Sequence, residues 1–327
     1  MTGFTFKGRF YRYYAPWLFK FFKLKARIQF RANSEDIGAY AAVLWEHFLA
    51  WRYQSGAKKI NGNLIVPLPW KKKSDKLVIL GCGSSINDIS NEEWAAIKTV
   101  DSIGVNYFYF NDFVPTAHFI ELGKSEVAYE CVHRYLLNNE SRNEPVFMQI
   151  RHLFNSGRVL KCNAKRVLLY SPVTMPTRNM NVINSYLQKY YYGNKRLIHH
   201  CSTLDCVVNF AVQAGYKKIL LAGVDLSNSK YFWDDHPSHD KCKDAISACQ
   251  EDYAAANWSL DKQSIHATAD EELNKSMKCL SLIDYMGVLN RSTFKDLGVV
   301  ISVANPNSLL TQVFKHADIN SFIMNRN

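Results

Sequence analysis

The sequence predicts an α/β protein in which helices cover both faces of a parallel β-sheet. Residues 77–80 are four bulky apolar residues in a row, which is typical of a strand buried on both faces. A turn of small residues follows at 81–85, and residues 87–97 have the pattern of a helix. A second buried strand, 218–222, ends in Gly223, Val224 and Asp225, and ligand groups of parallel sheets lie at such strand ends.

Composition indicates one large domain with an appendage. The 327 residues carry a formal net charge of +11, and the first 31 residues hold eight Lys or Arg and no acidic residue. We therefore divide the chain into a basic helical extension, 1–75, and a nearly balanced domain, 76–327, with a polar lid at about 226–265. The eight cysteines form no C-x-x-C pair, which favours reduced thiols in a cytoplasmic protein without a metal site. The sequence contains no run of about eighteen apolar residues, so no transmembrane helix is predicted. No secretory signal is recognised either.

The first 32 residues alternate aromatic and basic side chains. Pro16 can open a helix whose apolar and basic residues separate onto two faces. The apolar face carries Trp17, Phe21, Leu24 and Ile28, and the basic face carries Lys20, Lys23, Arg27 and Arg31. This pattern favours peripheral binding to an anionic membrane surface, at the inner face of the cytoplasmic membrane. Packing on the domain is the alternative, and nucleic acid is disfavoured because the basic zone is short.

The remaining elements follow in order along the chain. Asn33 or Ser34 can cap a second helix, 37–53, and residues 64–66 suit at best a short edge strand. The second helix has an apolar stripe expected to contact the core, formed by Ala41, Leu44, Trp45 and Phe48. Further strands are expected at 102–105, 117–122, 145–149, 166–170 and 299–304, and further helices at 126–137, 180–191, 203–214 and 270–285.

The glycine turn suits a nucleotide because glycines let the backbone approach a phosphate at a helix N-terminus. Ile86 stands where a dinucleotide fingerprint has its third glycine, and Asn106 stands where an acid would hold the ribose of NAD. These two residues argue against NAD. A tight turn without any ligand remains an alternative interpretation.

Five segments in the right order resemble the bacterial sialyltransferases of lipooligosaccharide biosynthesis, over about residues 76–311. The matching segments are GCGSSI at 81–86, NYFYF at 106–110, AGYKKI through GVD at 214–225, the single His266, and PNSLL at 306–310. Residues 1–75 have no recognised counterpart. The resemblance implies a Rossmann-like domain of the GT-A variant type with a lid, and transfer of a sugar from CMP with inversion, without a metal or other cofactor.

The resemblance also implies roles for individual residues. Gly81, Gly83, Ser84 and Asn106 would line the CMP pocket, and Ser202 and Thr203 would hold the donor sugar. Asp225 would anchor the nucleotide. Three C-terminal residues would close over the base or ribose: Pro306, Asn307 and Ser308.

Three departures from the family pattern cluster around the phosphate and the sugar. Cys82 replaces an asparagine that touches the nucleotide, Ser227 replaces a phosphate-binding tyrosine, and His200 replaces an arginine. Tyr231 can supply a second phosphate-binding tyrosine, although Phe232 and Trp233 beside it blur the alignment. The departures leave open which CMP-activated 2-keto sugar acid is used: sialic acid, Kdo or legionaminic acid.

The chemistry of inverting transfer requires a base that accepts the proton of the acceptor hydroxyl. His266 is our candidate, because a neutral imidazole titrates near neutrality, and His236 and His239 are the next candidates. No Asp-x-Asp pair follows a strand, which agrees with metal-free transfer, and the adjacent Asp234 and Asp235 read as solvated.

Other functions stay open. They are a CMP-Kdo transferase of the lipopolysaccharide core, a sugar-phosphate transferase, a methyltransferase that binds S-adenosylmethionine, and a non-catalytic membrane-associated protein. The expected partners of a transferase are a CMP-sugar and a glycan or lipid-linked glycan acceptor, such as lipooligosaccharide or capsule, with a homo-oligomer also possible. Asn106 fits S-adenosylmethionine poorly, since that cofactor prefers an acid at the same place.

Overall fold

The structure is a computed structural model that describes residues 6–57, 63–64, 70–121, 126–138, 143–151, 167–193, 196–234, 242–256 and 261–324. The strands of these ranges are β1 Asn63–Leu64, β2 Lys76–Leu80, β3 Asp101–Val105, β4 Ala117–Ile120, β5 Val146–Gln149, β6 Val167–Tyr170, β7 Val173–Thr174, β8 Ile198–His199, β9 Lys218–Ala222, β10 Val300–Val303 and β11 Lys315–His316. The helices are α1 Phe6–Phe30, α2 Ile37–Ala57, α3 Asn91–Ile97, α4 Glu126–Asn138, α5 Met180–Tyr190, α6 Thr203–Gln213, α7 Lys243–Ala256, α8 Glu271–Ser276, α9 Leu282–Leu289, α10 Lys295–Leu297 and α11 Ile319–Met324.

Nine of the described strands form one parallel sheet, in the order β1-β6-β5-β4-β3-β2-β9-β10-β11. The strand order reverses at the centre, where β2 lies between β3 and β9. A short parallel pair, β7 with β8, stands apart from this sheet. The predicted fold class is confirmed, and each predicted strand is present where its residues are described.

Both faces of the sheet are covered, as predicted. Leu77 and Ile79 of β2 belong to a core cluster shared with α1, α2, α5 and α6. Val78 and Leu80 point the other way, into a cluster shared with α3, α7 and α11. Successive side chains of a strand face opposite sides, so two apolar layers require the continuous apolar run seen in the sequence.

The N-terminal extension packs on the sheet through α2. Tyr40, Ala41 and Leu44 are buried in the same cluster as Leu77, which confirms that the α2 stripe contacts the core. Trp45 and Phe48, the other stripe residues, pack against that cluster. The edge strand is also confirmed, because β1 forms one edge of the sheet. Residues 65 and 66 lie outside the described residues.

The start of α1 differs from the prediction. Pro16 lies inside α1 rather than at its first turn, since the helix already begins at Phe6. Proline lacks an N–H, so Pro16 removes one hydrogen bond from the interior of this helix.

Two predicted helices differ in their bounds. The helix expected at 87–97 begins at Asn91, because the Ser90 hydroxyl and the Glu93 carboxylate each accept the other's N–H in a capping box. Residues Ser84–Asp88 form only a short 3-10 turn. The helix expected at 270–285 is split into α8 and α9, and α9 continues through a π-helical turn, Asn290–Phe294, into α10.

The expected lid is partly an ordered part of the fold. Within 226–265, α7 packs on α4 through Ala248, which contacts Ala128 and Cys131. Residues 235–241 and 257–260, which include His236, His239 and Asp235, lie outside the described residues. None of the helices that the structure describes has the length and apolarity needed to cross a membrane.

Candidate functional site

A cavity of about 680 Å³ lies at the carboxyl edge of the sheet, beside the point where the strand order reverses. Its walls come from the ends of β2, β3, β4 and β9, the start of α6, and α7. Nine of the residues selected from the sequence line it: Gly81, Cys82, Gly83, Asn106, Ser202, Thr203, Asp225, Tyr231 and His266. Parallel α/β sheets bind ligands at this edge.

The glycine turn is held by a carboxylate of the protein itself. Asp225 accepts the N–H of Ser85 at 3.0 Å and its hydroxyl at 2.5 Å, and also the Asn305 amide at 2.7 Å. A side chain on Gly83 would meet Asp225 Oδ2 at 2.5 Å, so the glycine is required for this approach. The position expected for a phosphate, at the start of a helix, is therefore taken by Asp225 and followed only by a 3-10 turn.

Four residues selected from the sequence do not line the cavity. Ser84 lies in the 3-10 turn, and Pro306 and Asn307 are exposed. Ser308 is buried and donates from its hydroxyl to the Val224 carbonyl at 2.5 Å. The segment that carries these C-terminal residues is held by Asp225. The Asp225 carboxylate accepts the Asn305 amide, and the Asp225 backbone carbonyl accepts the Leu309 N–H at 3.0 Å.

Tyr231 reaches the cavity as part of a segment that is fastened to the glycine turn. Its backbone bridges Gly83, and the Phe232 N–H donates to the Cys82 carbonyl at 2.9 Å. The Tyr231 ring stacks on Trp233 with centroids 4.6 Å apart, and its hydroxyl lies 3.0 Å from that of Tyr253. Phe232 and Trp233, which made the alignment of Tyr231 uncertain, are apolar because both side chains are buried.

Cys82 contributes a protonated thiol. Its Sγ lies 3.1 Å from the Val105 carbonyl, to which it donates, and burial raises the pKa of the thiol. A thiol in this state is a weak hydrogen-bond donor and a poor nucleophile.

A hydrogen-bonded ring joins the ends of β3 and β4 to the start of α6. The Asn106 amide donates to Thr203 Oγ1 at 3.2 Å, Thr203 Oγ1 donates to the Glu121 carboxylate at 2.6 Å, and the Glu121 N–H donates to Asn106 Oδ1 at 3.0 Å. Asn106 has a φ of +51°, a left-handed conformation that is uncommon outside glycine. The ring places a carboxylate, an amide and a hydroxyl on one wall of the cavity.

Glu121 was not selected from the sequence. The available signal was the one that selected Asp225, namely a polar residue directly after a buried strand. Lys230 and Asp252 also line the cavity and were not selected, and Asp252 accepts the Tyr107 hydroxyl at 2.6 Å.

His199, rather than His200, is the histidine of this segment that lines the cavity. Burial lowers the pKa of His199, but the Glu121 and Asp205 carboxylates outweigh that effect and raise it to about 9. His199 Nδ1 lies 3.4 Å from Asp205 Oδ1, an arrangement that favours the imidazolium form of the ring.

His200 has a structural role. Its Nε2 accepts the Leu280 N–H at 2.8 Å, and its ring stacks on Tyr285 with centroids 4.4 Å apart. Burial lowers the pKa of His200 to about 4, so it is neutral and does not supply the positive charge of an arginine. Its ring thereby accepts an N–H from the break between α8 and α9.

The backbone N–H groups of the turn before α6 find their hydrogen-bond acceptors within the protein. The Asp205 carboxylate accepts the N–H groups of His200, Cys201 and Ser202, with Oδ2 at 2.7 Å from Cys201. Ser202 caps the helix through its own hydroxyl. Ser202 and Thr203 therefore lie on the cavity wall with fixed side chains.

His266 also lines the cavity, and the centroid of its ring lies 6.5 Å from that of Tyr231. Burial, aided by the nearby charge of Lys262, lowers the pKa of His266 to about 4, so the ring is neutral at pH 7. The Nδ1 atom of the ring lies 2.9 Å from Thr268 Oγ1. The backbone N–H of His266 donates to the Leu226 carbonyl at 3.1 Å. Leu226 holds a φ of +62°, a strained conformation for a branched side chain.

No cluster of three or more His, Cys, Asp or Glu that could hold a metal ion occurs among the residues the structure describes. Asp234 pairs with Lys262 at 3.0 Å, so the expectation of a solvated side chain is wrong for this residue.

The fold defines an α/β protein with a cavity at the carboxyl edge of its parallel sheet. No protein-family model matches the chain, and no curated protein matches it. Among solved structures, it is similar to the monofunctional α-2,3-sialyltransferase Cst-I from Campylobacter jejuni, with 16% identity over 79% of this chain and 86% of that chain, and a TM-score of 0.43. It is also similar to sialyltransferase CstII from Campylobacter jejuni in complex with CMP-3FNeuAc, with 18% identity over 75% and 88% of the two chains and a TM-score of 0.42.

Proposed function

We propose that this protein is a glycosyltransferase that moves a 2-keto sugar acid, such as sialic acid, from CMP to a glycan acceptor with inversion. The observation that carries the proposal is the convergence of separate segments on one cavity. The glycine turn, Asn106, Thr203, Tyr231 and His266 all line it, although they lie far apart in the chain.

The cavity has the size and chemistry that such a donor needs. Its volume of about 680 Å³ lies within the range of nucleotide and drug-sized sites. Lys230 and Tyr231 line the cavity and carry groups of the kind that bind anions, and Asn106 and Thr203, which also line it, carry groups of the kind that bind sugar hydroxyls. His266 is neutral and is therefore in the protonation state of a general base.

Nucleotide binding tests the proposal. In a thermal-shift titration, CMP is expected to raise the unfolding temperature, whereas S-adenosylmethionine is not. Mass spectrometry of mixtures with CMP-sialic acid, CMP-Kdo and CMP-legionaminic acid then identifies the donor. Stabilisation by S-adenosylmethionine alone would contradict the proposal in favour of a methyltransferase. Absence of CMP binding together with absence of turnover would contradict it in favour of a non-catalytic protein.

We further propose that α1 places the protein on an anionic membrane surface, where a lipid-linked acceptor such as lipooligosaccharide would be reached from the cytoplasm. Trp17, Phe21, Leu24 and Ile28 are 72%, 57%, 55% and 74% exposed, while Phe22 and Ala26 face the core. The basic side chains of the same helix, Lys20, Lys23, Lys25 and Arg27, are exposed beside this apolar row. The row has both features of an interfacial helix, an apolar face and a cationic border.

Charge on the apolar row should weaken membrane binding. We expect Phe21→Glu with Leu24→Glu to lower cosedimentation with phosphatidylglycerol vesicles by about tenfold or more, because two apolar side chains no longer enter the interface. Val300, another exposed apolar residue, provides the control Val300→Glu, which should bind as the wild type does. Equal binding by the double variant and the wild type would contradict the proposal, as would equal binding to neutral phosphatidylcholine vesicles.

A further inference from the structure

Helix α2 is connected to the cavity by an ion pair. Arg151 Nη2 lies 3.0 Å from the Glu46 carboxylate of α2, and Arg151 also donates to the Thr174 hydroxyl of β7. Thr174 is the cross-strand partner of His199 in β8. The residue after it, Met175, donates its N–H to the His199 carbonyl at 3.0 Å.

Helix α2 also holds the residues that lead into β8. Arg196 donates from Nη1 to His47 Nε2 at 2.8 Å and from Nε to Gln54 Oε1 at 3.2 Å. Burial and the Arg196 charge lower the pKa of His47 to about 4, which keeps its ring a neutral acceptor. Helix α2 of the N-terminal extension therefore binds Arg196, before β8, directly, and is connected to His199 at the end of β8 through Arg151 and Thr174.

His199 is surrounded by charged groups from four elements. Glu121 faces it from the end of β4 and Asp205 from α6, and both favour its protonated form. Arg151, which follows β5, disfavours that form. Glu46 of α2 pairs with Arg151 and compensates its charge, and burial raises the pKa of Glu46 against the effect of Arg151. The adjacent His200 is neutral.

We propose that Glu46 is a positioning residue for the cavity: by pairing with Arg151 it keeps His199 cationic between Glu121 and Asp205. His199 faces Glu121, whose carboxylate accepts the Thr203 hydroxyl. Residues 1–75 then have a second role besides membrane binding, because α2 completes the electrostatic arrangement of the site. The inference rests on the proposed function only in taking this cavity as the substrate site.

Titration of the His199 ring by NMR tests the inference without any ligand. The protein is labelled at histidine, and His199→Gln assigns the resonance. Glu46→Gln leaves Arg151 uncompensated, so we expect the midpoint to fall by about one pH unit from the wild-type value. Arg151→Met removes the cation, so we expect the midpoint to rise. Arg151→Lys keeps the cation and should titrate close to the wild type.

The titration midpoint is expected to fall in Glu46→Gln and to rise in Arg151→Met, and these opposite shifts distinguish the electrostatic role from simple structural support. Loss of packing would shift the midpoint in the same direction in both variants, and that result would overturn the inference. An unchanged midpoint in Glu46→Gln would overturn it too. Glu35→Gln, an exposed acid before α2, is the matched control and should leave the midpoint unchanged. Because no CMP-sugar is present, a failed CMP titration would count against the proposed function and not against this inference.

If Glu46→Gln does not fold, Arg151→Met and Arg151→Lys still decide the question, since their midpoints are expected to differ. With a CMP-sugar that the wild type turns over, Glu46→Gln is expected to lower kcat/KM by about threefold to tenfold, and the high-pH limb of its profile should move to lower pH. A lowered kcat/KM with an unmoved limb would indicate structural damage only and would overturn the inference.

Discussion

Replacement of His266 by alanine is expected to lower sugar transfer by about 100- to 10,000-fold while CMP binding remains. This is the range that a general base contributes when it accepts a proton in the transition state. For this role Nε2 needs a lone pair for the acceptor hydroxyl, so Nδ1 must carry the proton and donate to Thr268 Oγ1, 2.9 Å away, instead of accepting the Thr268 N–H at 3.3 Å. Thr268→Val should consequently also lower transfer, by less than the alanine variant does.

The pH profile gives an independent test of His266. Its pKa is lowered to about 4, and the neutral form therefore prevails at all higher pH values. We expect the acid limb of kcat/KM to lie near pH 4 rather than near pH 6.5, and to be absent in His266→Ala. The control is His316→Ala, an exposed histidine near the C-terminus. Wild-type transfer by His266→Ala would assign the base elsewhere, first to His236 or His239.

Replacement of Asp225 by alanine is expected to lower the free energy of unfolding by about 3 kcal/mol. The carboxylate joins three loops, its own and those of Ser85 and Asn305, whose donors it accepts. Hydrogen bonds to a charged group contribute about 1.5–3 kcal/mol each, and their loss leaves buried donors without an acceptor. Because the same carboxylate fixes the glycine turn, CMP binding should fall as well.

Urea denaturation measures this change. Asp225→Asn preserves the shape of the side chain and should lose less stability than Asp225→Ala, and Asp112→Ala, at an exposed acid, should lose almost none. A loss of less than about 1 kcal/mol in Asp225→Ala would show that the three loops are held by other contacts.

The sequence predicted those features that depend on local pattern. The buried strands β2 and β9 were located from uninterrupted apolar runs, and their bounds agree with the structure within a residue. Nine residues of the cavity wall were selected through the resemblance to sialyltransferases, and the glycine turn, Asn106 and Asp225 were also indicated by their positions at strand ends, which converge in a parallel sheet. This geometric rule needs only the strand assignments.

Features that depend on distant partners could not be predicted. In the interruption of the helix at 277–281, the Leu280 N–H donates to His200, which lies 80 positions away in the chain. The choice between His199 and His200 depends on how β8 is oriented, and a strand of two residues leaves no periodicity to read. The carboxylate of Asp225 took the place of a phosphate at the glycine turn because of a contact across the sheet, between the ends of β2 and β9.

The pairing of β2 with β9 also has a consequence for how the chain acquires its fold. These neighbours at the centre of the sheet are separated by about 140 residues, so the ribosome needs on the order of ten seconds between making one and making the other. During that interval β2 lacks one of its two flanking strands, while the basic aromatic segment at the start of the chain has already emerged. High contact order of this kind slows folding, and spontaneous renaturation from urea should accordingly be slow and prone to aggregation.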